Sequence, residues 1–112
     1  MKVIKLNDVK VADTPHKVAV KKLFDFEHAT VVHIELKPNE ALKLHKTPVD
    51  VNFYILEGEG TVEIGDESLN VGKDQLIFSP KNIPHRLYNK SKSIFRFLVI
   101  KTPTPTSETK IL

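Results

Sequence analysis

The chain of 112 residues has no cysteine and no tryptophan, only two arginines, and no long apolar run. The absence of cysteine excludes disulfides and thiolate metal sites, so a bound metal would need histidine, carboxylate or water ligands. No stretch approaches the roughly 18 consecutive apolar residues of a membrane-spanning helix, and no apolar signal segment follows Met1. We therefore expect a cytoplasmic protein without a membrane partner.

The net charge of +3 does not indicate nucleic-acid binding. It comes from lysines interspersed with acidic residues, and Arg86 and Arg96 are the only arginines. Aromatic residues make up only 7% of the chain, and no basic run or RNA-binding signature is present. We expect no nucleic-acid partner.

What the chain does contain is a series of short strand patterns separated by turn residues, with almost no helical periodicity. Gly65-Asp66 predicts a two-residue hairpin turn with glycine first. Nine strands are predicted, at Lys17–Phe24, Ala29–Lys37, Ala41–His45, Val51–Leu56, Gly60–Ile64, Glu67–Val71, Gln75–Ser79, His85–Asn89 and Ile94–Lys101. Regular short strands in a chain of this size predict a single all-β domain, either a sandwich or a barrel.

The two ends of the chain differ from its middle. Residues 1–28 form an N-terminal segment and strand that is a candidate dimer contact, and residues 29–101 form the barrel. Residues 102–112 form a Pro/Thr-rich tail that we expect to be extended and mobile, because its alternating prolines interrupt regular structure. Ile111 and Leu112 are candidates to dock on a neighbouring subunit.

Two turn-rich blocks in the middle of the chain each contain one histidine. The first runs from Pro38 to Gly60 and contains His45, and the second runs from Gly72 to Asn89 and contains His85. The blocks resemble the paired motifs of the cupin superfamily, and in particular a subset of small single-domain archaeal and bacterial cupins that is largely uncharacterised. The resemblance implies a double-stranded β-helix, also called a jelly-roll or cupin barrel.

The resemblance is incomplete at the positions where cupins bind metal. His45 matches the first histidine of the first motif, but Thr47 stands at the second histidine and Val51 at the glutamate. Asn39 and Asn82 replace glycines of the two motifs, a mild change because asparagine also tolerates left-handed turns.

A full cupin ligand set, three histidines and a glutamate, binds Fe, Mn, Ni, Zn or a similar ion. Only His45 and His85 remain here, and two imidazoles alone are a poor site because stable sites usually have three or more protein ligands. Asp50 is the nearest candidate third ligand, if a bulge at Pro48 turns it inward. The expectation is either one divalent transition metal (Fe, Mn, Ni, Zn or Cu) held by His45, His85 and Asp50, or no metal.

Alternation along the strands predicts the remaining pocket residues. If His45 points inward, then Lys43 and Thr47 do so too, and Lys43 either extends from the barrel mouth or pairs with an anionic ligand. The predicted ligand-binding residues are Lys43, His45, Thr47, Phe53, His85 and Asn89. His33 is predicted on the sheet face away from the core, and His16 as a residue that folds over the barrel mouth.

Three functions remain open from the sequence, and fold alone does not separate them. The preferred one is a binding module for a small polar or anionic molecule with a degenerate metal site. The alternative is a metal-dependent oxygenase, isomerase or lyase acting on a small acid or sugar. The third is a structural or regulatory protein with a vestigial pocket, and in each case we expect a homodimer.

Overall fold

Two five-stranded antiparallel sheets make up the computed structural model, which describes all 112 residues. The ten strands are β1 (Ala19–Asp25), β2 (Thr30–Leu36), β3 (His45–Lys46), β4 (Asp50–Glu57), β5 (Glu59–Ile64), β6 (Glu67–Gly72), β7 (Leu76–Ser79), β8 (His85–Tyr88), β9 (Phe95–Thr102) and β10 (Lys110–Ile111). One sheet has the order β1-β2-β9-β4-β7 and the other β10-β3-β8-β5-β6. The predicted all-β, double-stranded β-helix class is confirmed.

The only helical element is a single 3-10 turn at Leu6–Asp8. No helix in the structure has the length and apolar character needed to cross a bilayer.

The core lies between the sheets and follows the alternation of the strands. In β4, Val51, Phe53 and Ile55 are buried, while the residues between them are only half-buried. The rings of Phe53, Phe95 and Phe97 pack edge-on or tilted, with centroids 5.1 to 6.2 Å apart. Aromatic side chains of this kind bury large apolar areas, so these three rings are a main source of packing energy.

Left-handed backbone at the turns agrees with the sequence. Asn39 (φ 70°) and Asn82 (φ 62°) have left-handed conformations at the two positions where asparagine replaces a motif glycine. Gly65 has φ 59°, as a hairpin turn that begins with glycine requires. These turns set the register of the strands that follow them.

The predicted strand Ala41–His45 is wrong in its extent. Only His45–Lys46 pairs as a strand, and Ala41 makes one isolated bridge to Tyr88. Between them, Leu42 is buried while Lys43 and Leu44 are exposed. The alternation expected of a strand is therefore broken before His45.

Both ends of the chain add strands to the sheets. β1 pairs antiparallel with β2 at the edge of the first sheet. In the tail, residues 103–109 contain no strand, as expected, but β10 pairs with β3 and places Ile111 opposite His45. Ile111 therefore pairs with its own chain, and its docking on a neighbouring subunit stays a prediction.

Candidate functional site

A cavity of about 490 Å³ opens between the two sheets at one end of the barrel. Eight of its nineteen lining residues are hydrophobic, and the polar remainder includes three histidines and two lysines. The lining residues are Ala12, Asp13, Thr14, Pro15, His16, Val20, Lys22, Val32, Ile34, Leu42, His45, Thr47, Phe53, His85, Val99, Lys101, Glu108, Thr109 and Ile111. Apolar walls with a few polar groups are typical of sites that bind small molecules.

His85 lines this cavity and is almost fully buried, with only 1% of its surface exposed. Its Nδ1 is 2.6 Å from Ser79 Oγ and its Nε2 is 3.2 Å from Thr47 Oγ1, so each ring nitrogen is hydrogen-bonded to a hydroxyl group. Burial, and then the nearby His45, Lys101 and His16, lower the pKa of His85 to about 3. The ring is therefore neutral at physiological pH.

His45 faces His85 across the β3–β8 pair, with ring centroids 4.5 Å apart. Its Nδ1 is 2.7 Å from the carbonyl oxygen of Lys43, and its Nε2 has no protein partner. The pKa of His45 is lowered, mainly because the ring is buried.

His16 reaches the same cavity from the N-terminal segment, as the sequence suggested. Its ring centroid lies 4.8 Å from that of His45, and its Nδ1 accepts a hydrogen bond of 2.9 Å from the backbone N–H of Lys43. Burial, followed by the charges of His45, Lys43 and Lys101, lowers the pKa of His16 to about 4.

Lys101 supplies a cation that strand reasoning did not consider. It follows Val99 on the inner face of β9 and lines the cavity. None of the four ion pairs in the structure includes Lys101, whereas the neighbouring Lys22 pairs with Asp25 at 3.4 Å. Burial and then the charge of Lys22 lower the pKa of Lys101. The alternation from Phe95 through Phe97 and Val99 was the signal that could have identified it.

Two of the six predicted ligand-binding residues lie outside the cavity. Lys43 is exposed, because the residues around it are not a strand and only its backbone contacts the histidines. Asn89 is buried, but its amide group binds Leu36 O and Ser93 O and its Oδ1 accepts from Ser91, so it stabilises a turn. The other four predicted ligand-binding residues, His45, Thr47, Phe53 and His85, line the cavity, and their binding role stays a prediction.

The residues present do not fit a cupin metal centre. Asp50, the candidate third ligand, accepts a hydrogen bond from Lys81 N at 2.9 Å, and Val51 takes the inward position next to it. Both nitrogens of His85 contact hydroxyls, and no group of three or more His, Asp or Glu side chains is arranged to hold an ion. The ammonium group of Lys101 in the same cavity further disfavours a cation.

Ser79 is the second residue that the sequence did not connect with the site. It is fully buried, pairs with Val51 across β4 and β7, and contacts His85. Outside the cavity, His33 lies on the outer face of β2 as expected, where its Nε2 accepts a hydrogen bond of 2.9 Å from Arg96. Arg96 also contacts Glu57, so this cluster is separate from the cavity.

Comparison with known proteins gives a consistent result. Residues 32–101 match a family whose description is "Cupin domain". An uncharacterised protein of Methanocaldococcus jannaschii is 31% identical over 87 residues, which cover 77% of this chain and 75% of that protein.

Solved structures share the fold. TT1209 from Thermus thermophilus has a TM-score of 0.80 at 30% identity, covering 94% of this chain and all of the other. The polyketide cyclase RemF from Streptomyces resistomycificus has a TM-score of 0.85 at 23% identity, covering all of this chain and 85% of the other. At that identity the likeness to RemF concerns the fold alone.

Proposed function

We propose that this protein, which belongs to the cupin family, binds a small molecule with an anionic group in its barrel cavity. The observation that carries the proposal is Lys101, which lines a cavity whose histidines are neutral and takes part in none of the four ion pairs. The opposite charge of Asp25 acts on Lys101 only from beyond ion-pair distance. A desolvated charge without a partner is unfavourable, and an anion placed beside it relieves that cost. One role predicted for Lys43 from the sequence was pairing with an anionic ligand, and in this proposal Lys101 has that role.

A second feature of the cavity supports a ligand with hydrogen-bonding groups. Thr14 Oγ1 is the one buried side-chain polar atom in the structure without a hydrogen-bond partner, and Thr14 lines the cavity. A buried hydroxyl without a partner is unfavourable by about 1–3 kcal/mol. A polar ligand that reaches Thr14 would recover part of this energy.

The predicted alternative, a metal-dependent enzyme, has weaker support. It needs a third protein ligand beside His45 and His85. Asp50 is held on the other face of β4, and the Nδ1 lone pair of the nearby His16 already accepts a hydrogen bond from Lys43 N–H. The polar groups that line the cavity are two lysines, three imidazoles, several hydroxyls and the carboxylates of Asp13 and Glu108. Among them, the lysine ammonium groups can pair directly with an organic anion.

The test is a Lys101→Met variant, with Lys43→Met as its matched control. We expect Lys101→Met to bind small carboxylates about 10- to 100-fold more weakly, because a hydrogen bond to a charged group contributes about 1.5–3 kcal/mol. Lys43→Met should leave affinity unchanged, since its side chain is exposed outside the cavity. Isothermal titration with a panel of short carboxylic acids measures both variants.

The opposite pattern, with binding lost in Lys43→Met and kept in Lys101→Met, would contradict the proposal. Thermal unfolding of Lys101→Met serves as the folding control. We expect no loss of stability, because methionine fills a similar volume without a buried charge.

We also propose that the protein is a homodimer that pairs through the free edge of β7. This strand ends the first sheet, and Leu76 and Phe78 expose 62% and 56% of their surfaces there. Unpaired strand edges with apolar side chains favour pairing with another chain. Light scattering at micromolar concentration should give a dimer mass for the wild type and a monomer mass for Phe78→Lys, and a monomeric wild type would contradict the proposal.

A further inference from the structure

The backbone of one residue, Lys43, donates a hydrogen bond to one histidine of the cavity and accepts one from another. The N–H of Lys43 donates to His16 Nδ1 at 2.9 Å, and the carbonyl oxygen of the same residue lies 2.7 Å from His45 Nδ1. A carbonyl oxygen only accepts hydrogen bonds, and a backbone N–H only donates them. These two contacts therefore determine which nitrogen of each neutral ring carries the proton.

The remaining ring nitrogens must have complementary properties. His45 carries its proton on Nδ1, so its Nε2 is an acceptor with a free lone pair. His16 accepts at Nδ1, so its Nε2 carries the proton and is a donor. The structure thus presents one donor and one acceptor from two rings whose centroids are 4.8 Å apart.

Both Nε2 atoms are available to a ligand. Neither nitrogen forms a hydrogen bond within the protein. Neither is fully buried, because Thr14 Oγ1 is the only buried side-chain polar atom without a hydrogen-bond partner. Both residues line the cavity, and both nitrogens are accessible to solvent. Water or a ligand must satisfy them.

We propose that the ligand is a short hydroxy acid, an inference that rests on the proposed binding of an anion. Its carboxylate pairs with Lys101, while its hydroxyl oxygen accepts from His16 Nε2–H and its hydroxyl proton is donated to His45 Nε2. A hydroxyl group is both donor and acceptor, so one oxygen satisfies both rings. The apolar walls formed by Val32, Ile34 and Val99 accommodate a short hydrocarbon chain.

Related acids lack this match. An oxo acid offers only acceptors and leaves His45 Nε2 unpaired, and the corresponding deoxy acid leaves both rings unpaired. A site that forms hydrogen bonds to a ligand hydroxyl discriminates strongly against analogues without it, because its own polar groups lose their partners. Selectivity among acids of equal size and charge therefore distinguishes this inference from simple anion binding.

The binding experiment uses two matched series, 2-hydroxyisovalerate, 2-oxoisovalerate and isovalerate, and 3-hydroxybutyrate, acetoacetate and butyrate. We expect the hydroxy acid of one series to bind at least about 10-fold more tightly than its two analogues, the equivalent of one net hydrogen bond. His16→Phe should reduce that preference without changing affinity for the deoxy acid. His28→Phe, in an exposed turn, is the control and should change neither.

The outcomes separate the two proposals. If all acids of a series bind equally and Lys101→Met abolishes their binding, the hydroxy-acid inference fails while anion binding stands. If no acid binds, both fail. Nitrogen-15 NMR of the imidazoles gives a test without ligand, in which we expect the Nδ1–H form of His45 and the Nε2–H form of His16. The reverse assignment at either ring would overturn the inference.

Discussion

A Gly58→Ala substitution is expected to lower the free energy of unfolding by about 3 kcal/mol or more, within the range of severe point mutations. Gly58 has φ 80°, and a Cβ built there would lie 2.1 Å from the carbonyl oxygen of Ile94. Since the obstacle is backbone rather than a flexible side chain, the turn after β4 must move away from the segment that enters β9. Urea unfolding, compared with wild type, measures the loss.

Two other glycines provide matched controls for this prediction. Gly65 also has positive φ, but a Cβ there would meet only the Ile83 side chain at 3.5 Å. Gly65→Ala should therefore lose only about 1–2 kcal/mol, the conformational part alone. Gly72, whose Cβ would have no contact closer than 3.9 Å, should lose less still. Equal losses in Gly58→Ala and Gly65→Ala would show that the approach to Ile94 is not decisive.

Acid is expected to destabilise the protein well above the pH at which carboxylates titrate. The pKa values of His16, His33 and His85 are lowered from 6.5 to about 4, 4 and 3 in the folded state, chiefly by burial. Below pH 6.5 the unfolded chain therefore binds protons that the folded chain does not. Stability is thus full above about pH 7 and falls as the pH decreases towards 4.

Each such histidine contributes at most about 1.4 kcal/mol per pH unit, and the half-buried His16 contributes less. Unfolding curves at pH 7.5, 6, 5 and 4.5 measure the slope. His16→Phe should reduce that slope, whereas His28→Phe should not. A stability that stays constant from pH 7.5 to 4.5 would mean that the histidines are not buried in neutral form.

The fold was predictable because its signals are local. Alternation in β4 placed Phe53 and Ile55 in the core, and the left-handed turns at Asn39 and Asn82 follow from the conformational tolerance of asparagine. The same reasoning failed for Lys43, because the segment before His45 is not a strand. The conformation of a short irregular segment is determined by the strands packed around it, so the local sequence pattern does not predict it.

Some properties of the cavity follow from the order of residues in the chain, and others arise only when the chain folds. Strand periods and turn residues are properties of neighbouring residues, so they predicted an all-β sandwich or barrel. The resemblance to cupins then implied a barrel with His45 and His85 in one cavity. The position of Lys101 in the cavity, the contact of Ser79 with His85 and the contacts of Lys43 with two histidines depend on residues far apart in the chain. The protonation states of the histidines depend on burial and on the backbone of Lys43, which only the packed structure brings together.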